Sequence, residues 1–199
     1  VFWSPSVNAP KTAKVEIAKT LAVFGAFTEG LQLFASFAML LNFQRFGKMK
    51  GMGQIVTWSV RDETLHTLSI IKLFKTFISE NKEIWDDKLK NFLYQACRDI
   101  VHHEDAFIDL AFQFDGAIEG MDQHDIKSYI RFVADRRLNQ LGLESIYKIQ
   151  KNPLPWLDEI LNAPEHTNFF ENRVTEYAKS ATTGSWEDAF IIFKDKPKD

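Results

Sequence analysis

An all-α helical bundle is the fold class this sequence predicts, and three observations carry it. None of the six prolines falls between residues 11 and 152, so long stretches can run as unbroken helix. Glycine clusters punctuate that span at Gly47-Lys48-Met49-Lys50-Gly51-Met52-Gly53 and at Asp115-Gly116-Ala117-Ile118-Glu119-Gly120. No segment shows the strict apolar–polar alternation of a strand. With 45% hydrophobic and 14% aromatic residues over 199 positions, the chain is rich enough for a substantial core and unlike a disordered one.

The punctuation predicts helices over Lys11–Phe46, Gln54–Ser79, Glu83–Phe114 and Asp122–Ile149. Asp122 is placed to cap the fourth, with Asp125 in its first turn. In the second, Val60, Glu63, His66, Leu73 and Phe77 are expected on or near one side. Asn152-Pro153-Leu154-Pro155-Trp156 cannot be helix interior, and a short helix is expected over Trp156–Leu161. From Ala178 onward Thr, Gly, Ser and charge predominate, which predicts a flexible tail at 178–199 after a helical domain at 1–177.

A net charge of −3 advertises no nucleic-acid surface. A single cysteine, Cys97, permits no internal disulfide and suits a reducing, cytoplasmic setting. No signal peptide pattern opens the chain, and Val1 in place of Met suggests a processed or partial polypeptide. Leu21–Leu41 approaches membrane-spanning length, yet Glu29 near its middle favours a helix buried inside a bundle.

The chemistry concentrates in Glu63-Thr64-Leu65-His66. Residues three apart on a helix share a face, so carboxylate and imidazole point the same way. Glu29, among Phe24, Phe27, Leu31, Leu33 and Phe34, is the second signal, because an isolated carboxylate in apolar surroundings needs a counter-charge or a cation. Helical di-metal carboxylate proteins combine single Glu residues on two helices with Glu-x-x-His on two others. This chain shows one of each, which is half of such a site. Competing readings are a surface Glu63 beside a partly buried His66, and a buried ion pair of Glu29 with Arg61. Asp99, His102, His103, Glu104 and Asp105 form a weaker cluster without a second buried acid in support, and Asp105 and Asp109 suggest a polar face there. No Gly-rich phosphate loop, Ser–His–Asp pattern or paired-cysteine zinc pattern is present.

Four stretches, in order, carry a family resemblance: Thr28-Glu29-Gly30-Leu31-Gln32-Leu33-Phe34-Ala35-Ser36-Phe37; Ser59-Val60-Arg61-Asp62-Glu63-Thr64-Leu65-His66; Arg136-Arg137-Leu138-Asn139-Gln140-Leu141-Gly142 followed by Asn152-Pro153-Leu154-Pro155-Trp156; and Asn168-Phe169-Phe170-Glu171-Asn172-Arg173-Val174-Thr175-Glu176-Tyr177. Together they resemble the small, radical-generating subunit of class I ribonucleotide reductase, from about Phe24 to Phe190.

The resemblance implies a ferritin-like bundle with a dinuclear iron, or manganese–iron, site. It implies that Glu29, Glu63 and His66 are three of six metal ligands. Asp62 then matches an acid that orients a ligand histidine on the radical route, and Tyr177 matches a tail tyrosine on that route. The route leads to a cysteine of the large subunit, where a ribonucleoside diphosphate loses its 2′-hydroxyl in deoxyribonucleotide synthesis for DNA replication. The tail, about Thr182–Phe193 with Trp186, Phe190 and Phe193, is the implied docking peptide for the large subunit, and the family context implies a homodimer.

Two positions depart from the family pattern. Leu33 stands where Phe is common and Ser59 where an aliphatic residue is common, both lining the pocket that Phe37 also lines. The remaining ligands, an Asp and a first Glu-x-x-His, are absent upstream of Glu29 and are expected outside this chain. Alternatives left open are a related two-metal oxidase that binds a long-chain ligand, and a metal-free helical interaction module.

Overall fold

The computed structural model describes residues 9–115 and 118–162. All of them belong to one unit, Val1–Ala163. The expected boundary at 177/178, Tyr177 and the docking tail lie outside the described residues.

The described residues are helical as expected, with no strand among them and a single isolated bridge between Ile118 and Met121. The first long helix is a rod in three parts: α1 (Lys11–Ala22), a π-helical segment (Val23–Gln32) and α2 (Phe34–Arg45). Then follow α3 (Lys50–Glu80), a 3₁₀ turn (Lys82–Ile84), α4 (Asp87–Asp115), α5 (Gln123–Leu141) and α6 (Pro155–Asn162). By length and composition the Lys11–Arg45 rod could cross a membrane, but half of its most apolar window is buried. Its π segment packs against α3, α4 and α5, the position of a core helix. Phe27 and Leu31 on that segment and Phe74 on α3 are fully buried, each contributing about 2–3 kcal/mol by leaving water.

The π segment is the main departure from a uniform helix over 11–46. Bonds from i to i+5 widen the turn and displace the side chains that follow. Glycines five apart, Gly25 and Gly30, match that wider turn. A Cβ at Gly25 would collide with the Ile70 side chain, and one at Gly30 would sit 2.8 Å from Arg137 Nε and 3.0 Å from Thr67 Cγ2. These glycines therefore let the rod lie close against α3 and α5.

Helix ends differ from expectation at three places. α3 starts at Lys50, inside the glycine cluster, because Gly47 (φ 71°) and Met49 (φ 47°) already make the turn. Gly53 is then a helical residue, and the Gln44 side chain fills the space its Cβ would need. α4 starts at Asp87 rather than Glu83, since Asp86 Oδ1 accepts from the Leu89 amide at 3.0 Å and caps it. α5 stops at Leu141, well short of Ile149. Gly142 takes the left-handed conformation (φ 85°), and the bonds Leu143 N to Leu138 O (2.9 Å) and Gly142 N to Asn139 O (3.0 Å) close the end. Buried Asp135 then holds the next stretch: Oδ1 accepts from the Ile146 and Tyr147 amides and Oδ2 from the Ile149 amide.

Asp122 caps α5 as expected, accepting from the His124 amide at 2.6 Å. The short helix expected over Trp156–Leu161 runs one residue longer at each end, with Pro155 opening it at the position where proline is tolerated.

A candidate metal centre on the π segment and α3

The close approach of the π segment to α3 brings Glu29, Glu63 and His66 together. One ligand atom from each lies within 4.8 Å of the other two. Glu63 Oε2 and His66 Nδ1 are 3.9 Å apart, as the three-residue helical spacing requires. Glu29 is half-buried, and its Oε2 is enclosed without a hydrogen-bond partner. An orphaned buried carboxylate oxygen beside a second carboxylate and an imidazole is costly unless a cation joins them. The donor set of two carboxylates and one imidazole suits iron or manganese, metals that accept hard oxygen ligands with nitrogen. The residues thus fit the metal that the family resemblance implies, and three of them could hold it.

The cluster is not closed over. The His66 side chain is 58% exposed, against 26% for Glu63. Phe24, Leu33, Leu65 and Leu68, each within five residues of a site residue, are exposed apolar side chains. Asp62 is exposed beside Glu63. The predicted single face of α3 therefore divides: Val60 is buried and Phe77 packs on the core, while His66 and Leu73 face outward.

Two of the residues that the resemblance places at the pocket make local contacts. Ser59 adds little polarity, because its hydroxyl donates to the Ile55 carbonyl of its own helix at 3.2 Å. Phe37 packs edge-to-face on Phe34, with ring centroids 5.8 Å apart.

The α4 cluster has other work. Asp105 takes both arms of Arg131, at 2.9 and 2.6 Å, and Asp109 binds Lys127 at 2.5 Å, so these acids tie α4 to α5. Asp99 accepts from Gln95 at 2.8 Å, and His102 and His103 are exposed. Glu104, by contrast, is 4% exposed and faces the core. Burial pushes its carboxyl up to about 7, although the Ala35 amide favours the charged form, and its Oε2 has no partner. The sequence placed Glu104 in this cluster but not in the core, because charged neighbours marked the stretch as polar; its burial corrects the expectation that no buried acid lies there.

Sequence reasoning missed Arg137, which is 4% exposed and donates from Nε to the Gly30 carbonyl at 2.7 Å and from Nη1 to Gln140 Oε1 at 2.9 Å. Its guanidinium lies over the Phe34 ring at 5.4 Å. Burial lowers it to about 10, so it remains charged at neutral pH.

Fold and site together define a ferritin-like helical protein with a carboxylate–histidine cluster on its central helices. Comparison with known proteins narrows this. Residues 3–153 match the family "Ribonucleotide reductase, small chain". The "Probable ribonucleoside-diphosphate reductase small subunit 048L" of Invertebrate iridescent virus 3 is 52% identical over 172 residues, 86% of this chain and 46% of that protein. The ribonucleoside-diphosphate reductase subunit beta of Chlamydia pneumoniae is 34% identical over 168 residues, 84% of this chain and 47% of that one. Among solved structures, the ribonucleotide reductase R2 subunit from Clostridium botulinum superposes with a TM-score of 0.66 at 26% identity, over 70% of this chain and 44% of that one. The chain belongs to the ribonucleotide reductase small-chain family. It spans about half the length of these relatives.

Proposed function

We infer that this chain forms half of the dinuclear metal site in the small subunit of a class I ribonucleoside-diphosphate reductase. The observation that carries the reading is the convergence of Glu29, Glu63 and His66, with an orphaned Glu29 oxygen, in a chain of this family. When bound, an iron or manganese–iron pair activates O₂ and supplies the one-electron oxidation that starts the radical.

The chain's residues have separable tasks. The Glu29 and Glu63 carboxylates and a neutral His66 nitrogen bind metal. The rigid α3 spacing of Glu63 and His66 fixes two donors relative to each other before any metal arrives, and the π segment brings the third. The remaining ligands come from polypeptide outside this chain. Two observations support that: the chain spans half of its relatives' length, and Phe24, Leu33, Leu65 and Leu68 leave an apolar surface around the ligands. Asp62, exposed beside Glu63, orients a ligand histidine from that missing part. Tyr177 relays the radical, and the aromatic tail at about 182–193 docks on the large subunit.

Metal analysis tests this reading. The full small-subunit polypeptide is expected to hold two iron or manganese ions per chain, whereas residues 1–199 alone bind at most one ion weakly and give no tyrosyl radical signal. A complete dinuclear centre with a radical in residues 1–199 alone would refute the half-site. The docking assignment has its own test. Deleting 182–199 is expected to abolish capture by the large subunit, and equal capture with and without those residues removes the tail from the interface.

A further inference from the structure

We propose that Arg137 is a positioning residue for the metal site: its guanidinium holds the Gly30 carbonyl and so keeps the π-helical turn that aims Glu29 at Glu63 and His66.

Where a π turn returns to α-helix, the bonding pattern shifts by one residue and a carbonyl is left without its usual amide partner. The π segment ends at Gln32 and α2 begins at Phe34. The Gly30 carbonyl, two residues before that end and adjacent to Glu29, accepts from Arg137 Nε at 2.7 Å. Its donor comes from α5, 107 residues away in sequence. The site is built for that donor. A side chain at Gly30 would place its Cβ 2.8 Å from Nε, so glycine clears the approach. Gln140 holds Nη1 at 2.9 Å and Phe34 lies under the guanidinium, which fixes the fork from two other directions.

Without this partner the cheaper state is continuous α-helix, which turns Glu29 relative to α3.

The role of Arg137 is distinguishable from that of a nearby charge. A buried cation bonded to the carbonyl next to Glu29 opposes metal binding there, so removing it as a charge would tighten affinity. Removing it as a positioner loosens affinity. The inference rests on Glu29, Glu63 and His66 being ligands, so the experiment carries Glu63→Ala as a control. Co(II) alone is the probe, titrated by its visible absorption into the full chain. Hydrogen exchange is followed in peptides covering residues 28–35.

Arg137→Met is expected to bind Co(II) about tenfold more weakly, the size typical of a lost outer-shell partner. Exchange at 28–35 should rise while α3 peptides are unchanged. Arg137→Lys keeps the cation but cannot make both fork contacts, and is expected to fall between wild type and Arg137→Met. Equal or tighter Co(II) binding by Arg137→Met, with wild-type exchange, overturns the proposal. If Arg137→Met does not fold, Arg137→Lys decides: wild-type affinity and exchange overturn it, and losses in both uphold it. If instead wild type and Glu63→Ala bind Co(II) alike, the ligand assignment itself has failed, a result separable from the other two.

Discussion

Glu63→Ala is expected to abolish specific metal binding while leaving the metal-free protein as stable as wild type, or slightly more so. The two halves of that result have different causes. With metal, Glu63 is one of three donors whose ligand atoms lie within 4.8 Å of one another. Partners that only orient ligands are worth about 10–100-fold in affinity, so loss of a ligand should exceed that. Without metal, Glu29 and Glu63 are like-charged carboxylates held close by packing, and deleting one relieves repulsion. Thermal unfolding at a series of Co(II) concentrations checks both. Metal at about one hundred times its Kd should stabilise wild type by about 2.7 kcal/mol and Glu63→Ala hardly at all. If metal shifts neither protein, the metal-free interaction module is the better reading.

Glu104→Gln should change the shape of the pH–stability curve. In the fold the Glu104 carboxyl is pushed up to about 7 by burial, against 4.5 for an unperturbed glutamate. Between those values the folded chain keeps a proton that the unfolded chain has released. Stability from this group is therefore full below about pH 4.5 and declines as pH rises towards 7. At one pH unit per 1.36 kcal/mol, the decline is on the order of 3 kcal/mol. Glutamine keeps the size of the side chain and carries no charge. The variant is expected to match wild type near pH 4.5 and to exceed it by about 2–3 kcal/mol at pH 8, read from urea unfolding across that range. Parallel curves would show that Glu104 titrates normally in the fold.

Much of the architecture was legible from proline and glycine alone. The absence of proline from 11 to 152 predicts the long helices, and Asp122 marks a start that the structure keeps. Helical spacing made the pairing of Glu63 with His66 legible, and the family resemblance joined Glu29 to them. The misses share a physical origin in tertiary contacts.

Gly53 looked like a breaker, but it lies in a helix where Gln44 needs its missing Cβ. Gly142 was a readable stop, yet the apolar and charged residues after it suggested more helix, and only Asp135 gathering three amides shows why the chain turns. Glu104 was hidden by Asp105 and Asp109, which face Arg131 and Lys127 on α5. A neighbour about 100° round the helix can then face the core. The π segment has no periodicity of its own to find; Gly25 and Gly30, five apart, were its one trace.

That π segment makes the site depend on counting. Deleting a single residue within Val23–Gln32 need not remove any ligand or any core side chain. It would take out the extra residue that the wider turn carries and favour plain α-helix, so that the packing of the flanking helices and the aim of Glu29 are no longer met together. Such a chain can satisfy its core or its ligands, but not both. The length of this short stretch is therefore as much a determinant of the site as the identity of the residues in it.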